Sequence, residues 1–194
     1  SQKYNGTFSR FDLIVRYAFL ESLYDEENKE YQYCRDLYLK MQKNRTGSIL
    51  RKDGKRYDEE FIKISNSFQE NGYIEKYPLI VNEDRHLINS SHRAACSLYF
   101  NIKEIPYIIV KDWKKHLESD PPRRQTYFSY DRGWFEKNGF TKSEINFLQK
   151  KKEKIFLNNI LHFVLILWPP VSAFFDNILK DLKRNYTILD SFGY

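Results

Sequence analysis

"YPLIVNEDRHLINSSHRAACSLYFNIKEIPYIIV", residues 77–110, decides the fold of this chain. Three short apolar runs, at 78–81, 87–89 and 105–110, read as strands. Residues 83–86 form a polar turn between the first two, and residues 90–101 carry helical spacing before the third. Strand, turn, strand, helix, strand is a compact α/β order. The helix opens on two hydroxyls, an imidazole and a guanidinium, from Ser90, Ser91, His92 and Arg93. The first N–H groups of a helix lack internal partners and its dipole is positive there, so this junction is suited to an anion.

Working outward toward the N-terminus, residues 57–73 form a well-marked helix. Asp58 is placed to cap it, Phe61, Ile64 and Phe68 form its apolar stripe, and Asn71-Gly72 stops it. Residues 46–56 are a basic loop with Asp53-Gly54 as its turn. Two further helices precede the loop. Residues 30–45 form one; residues 8–28 form an amphipathic one, with Leu13, Tyr17, Leu20 and Tyr24 three or four apart.

Toward the C-terminus, the proline-rich basic stretch "ESDPPRRQ" (118–125) is the best internal boundary. It divides residues 1–117, the N-terminal helices and core, from a C-terminal extension at 118–194. In the extension, residues 131–155 contain a helix capped by Thr141 or Ser143. A strand at 160–168, a helix at 171–184 and a strand at 186–192 then suggest a βαβ unit, whether packed on the core or opening a further domain. The apolar run "ILHFVLILWPPVSAFF" (160–175) is short for a bilayer of about 30 Å. Pro169 and Pro170 interrupt it, so it reads as a buried strand and not a membrane span.

The chain has 194 residues, enough for one domain or one domain with a small appendage. A net charge of +6 allows a polyanionic partner without requiring one, since solvated lysines are the commoner cause. Cys34 and Cys96 stand far apart with no CxxC and no histidine grouping, which argues against structural zinc and a disulfide framework. A reducing, cytoplasmic setting is the corresponding expectation. No signal peptide is visible, Ser1 in place of Met suggests a processed start, and the stop just after a strand suggests a longer parent protein. His86, His116 and His162 share no metal-ligand spacing; Lys150, Lys151 and Lys152 read as a solvated helix face; Trp134, Phe135 and Trp168 read as core.

The stretch from Tyr57 to Trp113 resembles the ParB/sulfiredoxin superfamily in the order and spacing of its pieces, "FQENGYIEKYPLIVNEDRHLINSSHRAACSLYFNIKEIPYIIV" (68–110). The shared pattern is a helix ending in N-G, a strand with P-[IL]-x-V, a D-G-x-H-R-like box opening a helix, and a final strand of I-P-[VY] type. The resemblance implies a mixed α/β, ParB/sulfiredoxin-like core with N-terminal helices and a C-terminal α/β extension. Within the superfamily, sulfiredoxins need a cysteine just before the His-Arg pair; Ser91 stands there, and a hydroxyl without a base does not replace a thiolate. ParB partition proteins carry a G-E-R-R box and a helix-turn-helix. This box lacks Glu, and residues 140–156 lack the small residue and glycine turn of that motif.

The nearest branch is that of the nucleotide-dependent kinases of free serine, whose box is D-G-H-H-R; it falls on Asn89, Ser90, Ser91, His92 and Arg93. The resemblance implies phosphoryl transfer from ATP (or ADP), with Mg²⁺, to a hydroxyl of an amino acid, sugar or related metabolite. Ser90, Ser91, His92 and Arg93 would cradle the phosphates, and Arg45 would join them by analogy of "MQKNR" (41–45) with the Q-P-R element of ParB proteins. Asn89 takes the acidic, metal-side position, where an amide is a poorer Mg²⁺ ligand than a carboxylate. For the proton-accepting carboxylate, Glu21 stands out among Phe19, Leu20 and Leu23; the alternative is a helix-edge ion pair. His92 would donate to the transferred phosphate. The rival readings are a ParB-like module associated with nucleic acid and a non-catalytic nucleotide sensor.

Overall fold

The computed structural model describes residues 10–25, 27, 29–83, 87–102, 104–111 and 130–159. Among them are six helices and a three-stranded sheet: α1 (Phe11–Leu23), α2 (Tyr31–Thr46), α3 (Tyr57–Asn71), β1 (Leu79–Asn82), β2 (Leu87–Asn89), α4 (Ser91–Tyr99), β3 (Tyr107–Val110), α5 (Arg132–Lys137) and α6 (Lys142–Asn159). The fold is mixed α/β. Strand order is β2-β1-β3, with β1 antiparallel to β2 and parallel to β3. A parallel neighbour cannot be reached by a tight turn, and α4 supplies the crossover. The ladder shifts register between Ile80 and Val81, which face Asn89 and Leu87, so Ile88 is the extra residue of a bulge in β2 just before the box. On the outer strand, Tyr107, Ile108 and Ile109 are exposed.

Helix α1 runs through the middle of the molecule. Ten of its 13 residues are buried, which corrects the expectation of a one-sided amphipathic helix. The reason is that α2, α4 and α6 all pack against it, so no broad face is left for water. Phe19 stacks on Tyr38 of α2 at 5.2 Å, and Tyr38 stacks on Phe61 of α3 at 5.4 Å. Phe135, Phe140, Ile145, Leu148 and Ile155 complete the same apolar cluster. The described part of residues 118–194 thus packs into one core with the N-terminal helices. Leu13 leaves that cluster to meet Val81, Leu87 and Ala94, joining α1 to the sheet.

Local signals act as expected at several points. Gly72 ends α3 with a positive φ of 67°, the conformation for which glycine after Asn71 is suited. Of the two residues proposed to cap α6, Thr141 does so: its Oγ1 accepts from Glu144 N, and Glu144 Oε2 accepts from Thr141 N, a reciprocal capping box. Asp58 is a correction. It lies in the first turn of α3, not at its cap, because its carboxylate is drawn to Arg35 and Arg56. Lys151 is another: it is bonded to Glu21 and Glu30 and is not simply solvated. Phe135 is core, whereas Trp134 is half-buried and meets Tyr130 edge-on at 4.8 Å. Among the described residues no helix is long and apolar enough to cross a membrane. The boundary at 118–125, the βαβ reading of 160–192, His86, His116, His162 and Trp168 lie outside the described residues.

Candidate functional site

A cleft of about 730 Å³ opens at the start of α4. Its wall begins with the box itself. Ser90 holds a left-handed backbone, φ 75° and ψ 28°, which an L residue adopts at a cost of about 1–2 kcal/mol. Asn89 Oδ1 accepts the Ser90 N–H at 2.6 Å and fixes the turn. Ser90 does not cap the helix with its side chain. Its Oγ instead accepts from Arg93 Nη2 at 2.5 Å, while Arg93 Nη2 also donates to the Pro78 carbonyl at 3.4 Å. The first intrahelical bond runs from Ala94 N to Ser90 O. The N-terminal turn of α4 therefore faces the cleft without a side-chain cap, where its dipole favours an anion.

The floor comes from α1. Arg16 is the largest fully buried side chain among the described residues, and it lines the cleft. Its Nη1 is spent on Asp12, at 2.6 Å to the backbone carbonyl and 3.0 Å to Oδ2. Arg10 takes both carboxylate oxygens of Asp12, at 2.8 and 2.7 Å, and reaches Ser91 Oγ at 3.2 Å. Burial pushes the Asp12 carboxyl up, but the charge and hydrogen bonds of Arg10, then Arg16, hold it well below the usual carboxylate range. Burial, then the neighbouring Arg45, pull the Arg16 guanidinium down to about 10, so it remains a cation at neutral pH. The buried Nε atoms of Arg16 and Arg93 make no hydrogen bond in the described structure. A buried donor of this kind calls for an acceptor.

The remaining wall belongs to α2 and the loop after it. Arg45 lies over the Tyr130 ring at 4.8 Å and donates to Gln42 Oε1 at 3.3 Å. The basic loop closes on itself through the Leu50–Arg56 bridge, turns at Gly54 (φ 79°), and brings Arg51 and Lys52 to the rim. The described lining thus carries five cations, Arg16, Arg45, Arg51, Lys52 and Arg93, and no carboxylate.

Of the residues singled out in the sequence, Asn89, Ser90, Ser91, His92, Arg93 and Arg45 are brought together here. Glu21 is not. It does not line the cleft, and its carboxylate is held by Lys151 and Lys154 of α6 at 2.5 and 2.8 Å. Five residues on from Arg16, it points roughly 140° away around α1. The helix-edge ion pair is the arrangement found. His92 faces inward: its Nε2 is hydrogen-bonded to Tyr38 Oη at 2.8 Å, and its ring meets Phe61 at 4.7 Å. Burial, reinforced by Arg16 and Arg45, keeps its pKa well below the usual histidine range, so the ring is neutral at neutral pH. It anchors α4 to α2 and α3, and Nε2 is committed to that anchor.

The donor set does not suit Mg²⁺ held by the protein. Such sites use one or two carboxylates beside the ligand's phosphates, whereas this lining offers the Asn89 amide, whose oxygen already accepts a hydrogen bond. Sequence reasoning missed Arg16, Arg51 and Lys52 as site residues. A guanidinium inside the apolar run Leu13–Leu20 was the available signal for Arg16. Compared with known proteins, the chain matches no family model, no curated protein and no solved structure, and the geometry alone carries the assignment of this cleft.

Proposed function

We propose that the cleft binds the phosphate groups of a nucleotide, ATP or ADP. The observation that carries this reading is the lining itself: five cationic side chains and no carboxylate among the described residues, grouped at an uncapped helix start. Guanidinium forks match phosphate oxygens, and a helix N-terminus adds backbone donors. Arg16 supplies a buried guanidinium from the floor and Arg93 a half-buried one from the wall, and Arg51 and Lys52 supply exposed charge at the rim. Tyr57, Tyr130 and Leu50 give the same cleft apolar surface that can contact a base or sugar.

A second reading adds phosphoryl transfer to a small-molecule hydroxyl, as in the serine-kinase branch of the ParB/sulfiredoxin superfamily. Its support is Ser90, which takes a left-handed backbone at the place where that branch has glycine. Transfer also needs a proton acceptor for the hydroxyl, and the described lining has no carboxylate to serve. Binding is therefore the function the geometry favours. Calorimetric titration with ATP and ADP, repeated with a short oligonucleotide as competitor, tests it. Saturable nucleotide binding supports the reading; binding of the oligonucleotide alone would favour a nucleic-acid module.

A further inference from the structure

We infer that the cleft takes its polyphosphate free of divalent cation, so that Mg²⁺ competes with the protein for the phosphates. This rests on the nucleotide reading above and concerns the form in which the nucleotide binds.

Three observations carry it. The charge on the described lining is all of one sign, from Arg16, Arg45, Arg51, Lys52 and Arg93. A divalent ion cancels two charges on the ligand and is itself repelled by these groups, so the complexed nucleotide is drawn in less strongly. Next, the carboxylate behind the floor is out of reach. Asp12 is fully buried, and both its oxygens are occupied by Arg10 and Arg16. Third, the buried Nε donors of Arg16 and Arg93 have no acceptor in the described structure. Both guanidiniums belong to residues that line the cleft, and phosphate oxygens coordinated to Mg²⁺ are poorer acceptors for them than free ones. Asn89, the residue where the resembling kinases carry an acid, adds no charge to hold the ion.

The test is calorimetric titration of the full chain with ATP, once with EDTA and once with MgCl₂ in excess over nucleotide, at matched ionic strength. The metal-free nucleotide is expected to bind at least tenfold more tightly. Equal or tighter binding with Mg²⁺ overturns the inference while leaving the nucleotide reading standing. Failure of ATP to bind in either buffer overturns both. Asn89→Asp supplies the missing charge at an exposed position whose oxygen can still accept the Ser90 N–H. In that variant the preference for metal-free ATP should narrow by several-fold. An unchanged ratio would overturn the part assigned to position 89.

Discussion

Arg16 Nη1 donates to two oxygens of one residue, the backbone carbonyl and the carboxylate Oδ2 of Asp12, a turn earlier on α1. The pairing fixes the guanidinium in the core, where Nε is buried without a hydrogen bond in the described structure. Asp12→Asn would leave Arg10 and Arg16 buried with a neutral partner. Loss of one member of a buried pair costs about 3–5 kcal/mol. Urea unfolding is expected to show a loss of that order, and a change below about 1 kcal/mol would mean that the pair is replaceable.

Arg93→Ala should weaken nucleotide binding by about 1.5–3 kcal/mol, roughly 10- to 150-fold, while circular dichroism stays that of the parent. The side chain is half-buried, and it meets Ser90 Oγ, the Pro78 carbonyl and the exposed Tyr77 ring, none of which belongs to the apolar core, so the fold does not hang on it. Unchanged affinity in calorimetry would remove the box from the binding site.

Ser90 separates backbone strain from side-chain bonding. Ser90→Ala and Ser90→Gly both lose the hydroxyl that meets Arg93, but only glycine relieves the positive φ. The glycine variant should be more stable than the alanine variant by about 1–2 kcal/mol. Equal melting temperatures for the two would show that the left-handed turn is not strained.

Glu21→Gln should leave nucleotide affinity untouched, because the carboxylate is engaged with Lys151 and Lys154 away from the cleft. Stability should fall by no more than about 1 kcal/mol, as befits a partly exposed ion pair. A tenfold loss of phosphoryl transfer or binding in this variant would return Glu21 to the site.

His92 predicts a pH dependence whose sign follows from its environment. Burial, then the charges of Arg16 and Arg45, hold its folded pKa well below the ordinary value. In the unfolded chain it titrates near about 6.5. Above that pH neither state binds the proton, and His92 contributes no slope. Below it only the unfolded state does, so stability falls as pH falls. In His92→Gln the melting temperature should decline less between pH 7 and pH 5 than in the parent; superimposable slopes would refute the assignment.

The chain order of strands and helix from β1 to β3, the Gly72 stop and the place of the box at the start of α4 were legible because each rests on neighbours in sequence: short apolar runs, a turn dipeptide, hydroxyls before a helix. The floor of the cleft was not. Arg16 and Arg93 lie 77 positions apart in sequence, and only the packing of α1 against α4 brings both to one cleft. Glu21 misled for a related reason. A carboxylate among Phe19, Leu20 and Leu23 does mark an unusual position, but periodicity gives its angle around α1 and not which neighbour stands there. That neighbour is α6, 130 residues on at Lys151. The same limit hid the inward turn of His92, whose partner Tyr38 is set by helix packing alone.

The cleft joins a floor seated in the protein core to a rim carried by a surface loop. Arg16 has already surrendered its rotamer freedom to folding, since α1 is buried on nearly every side. A ligand that met it would find it already ordered. Arg51 and Lys52 are exposed, and each must give up conformational entropy at the moment it engages. On the nucleotide reading proposed above, recognition would be divided in time: the loop would draw the anion in loosely, and the core helix would set the geometry that decides how long it stays.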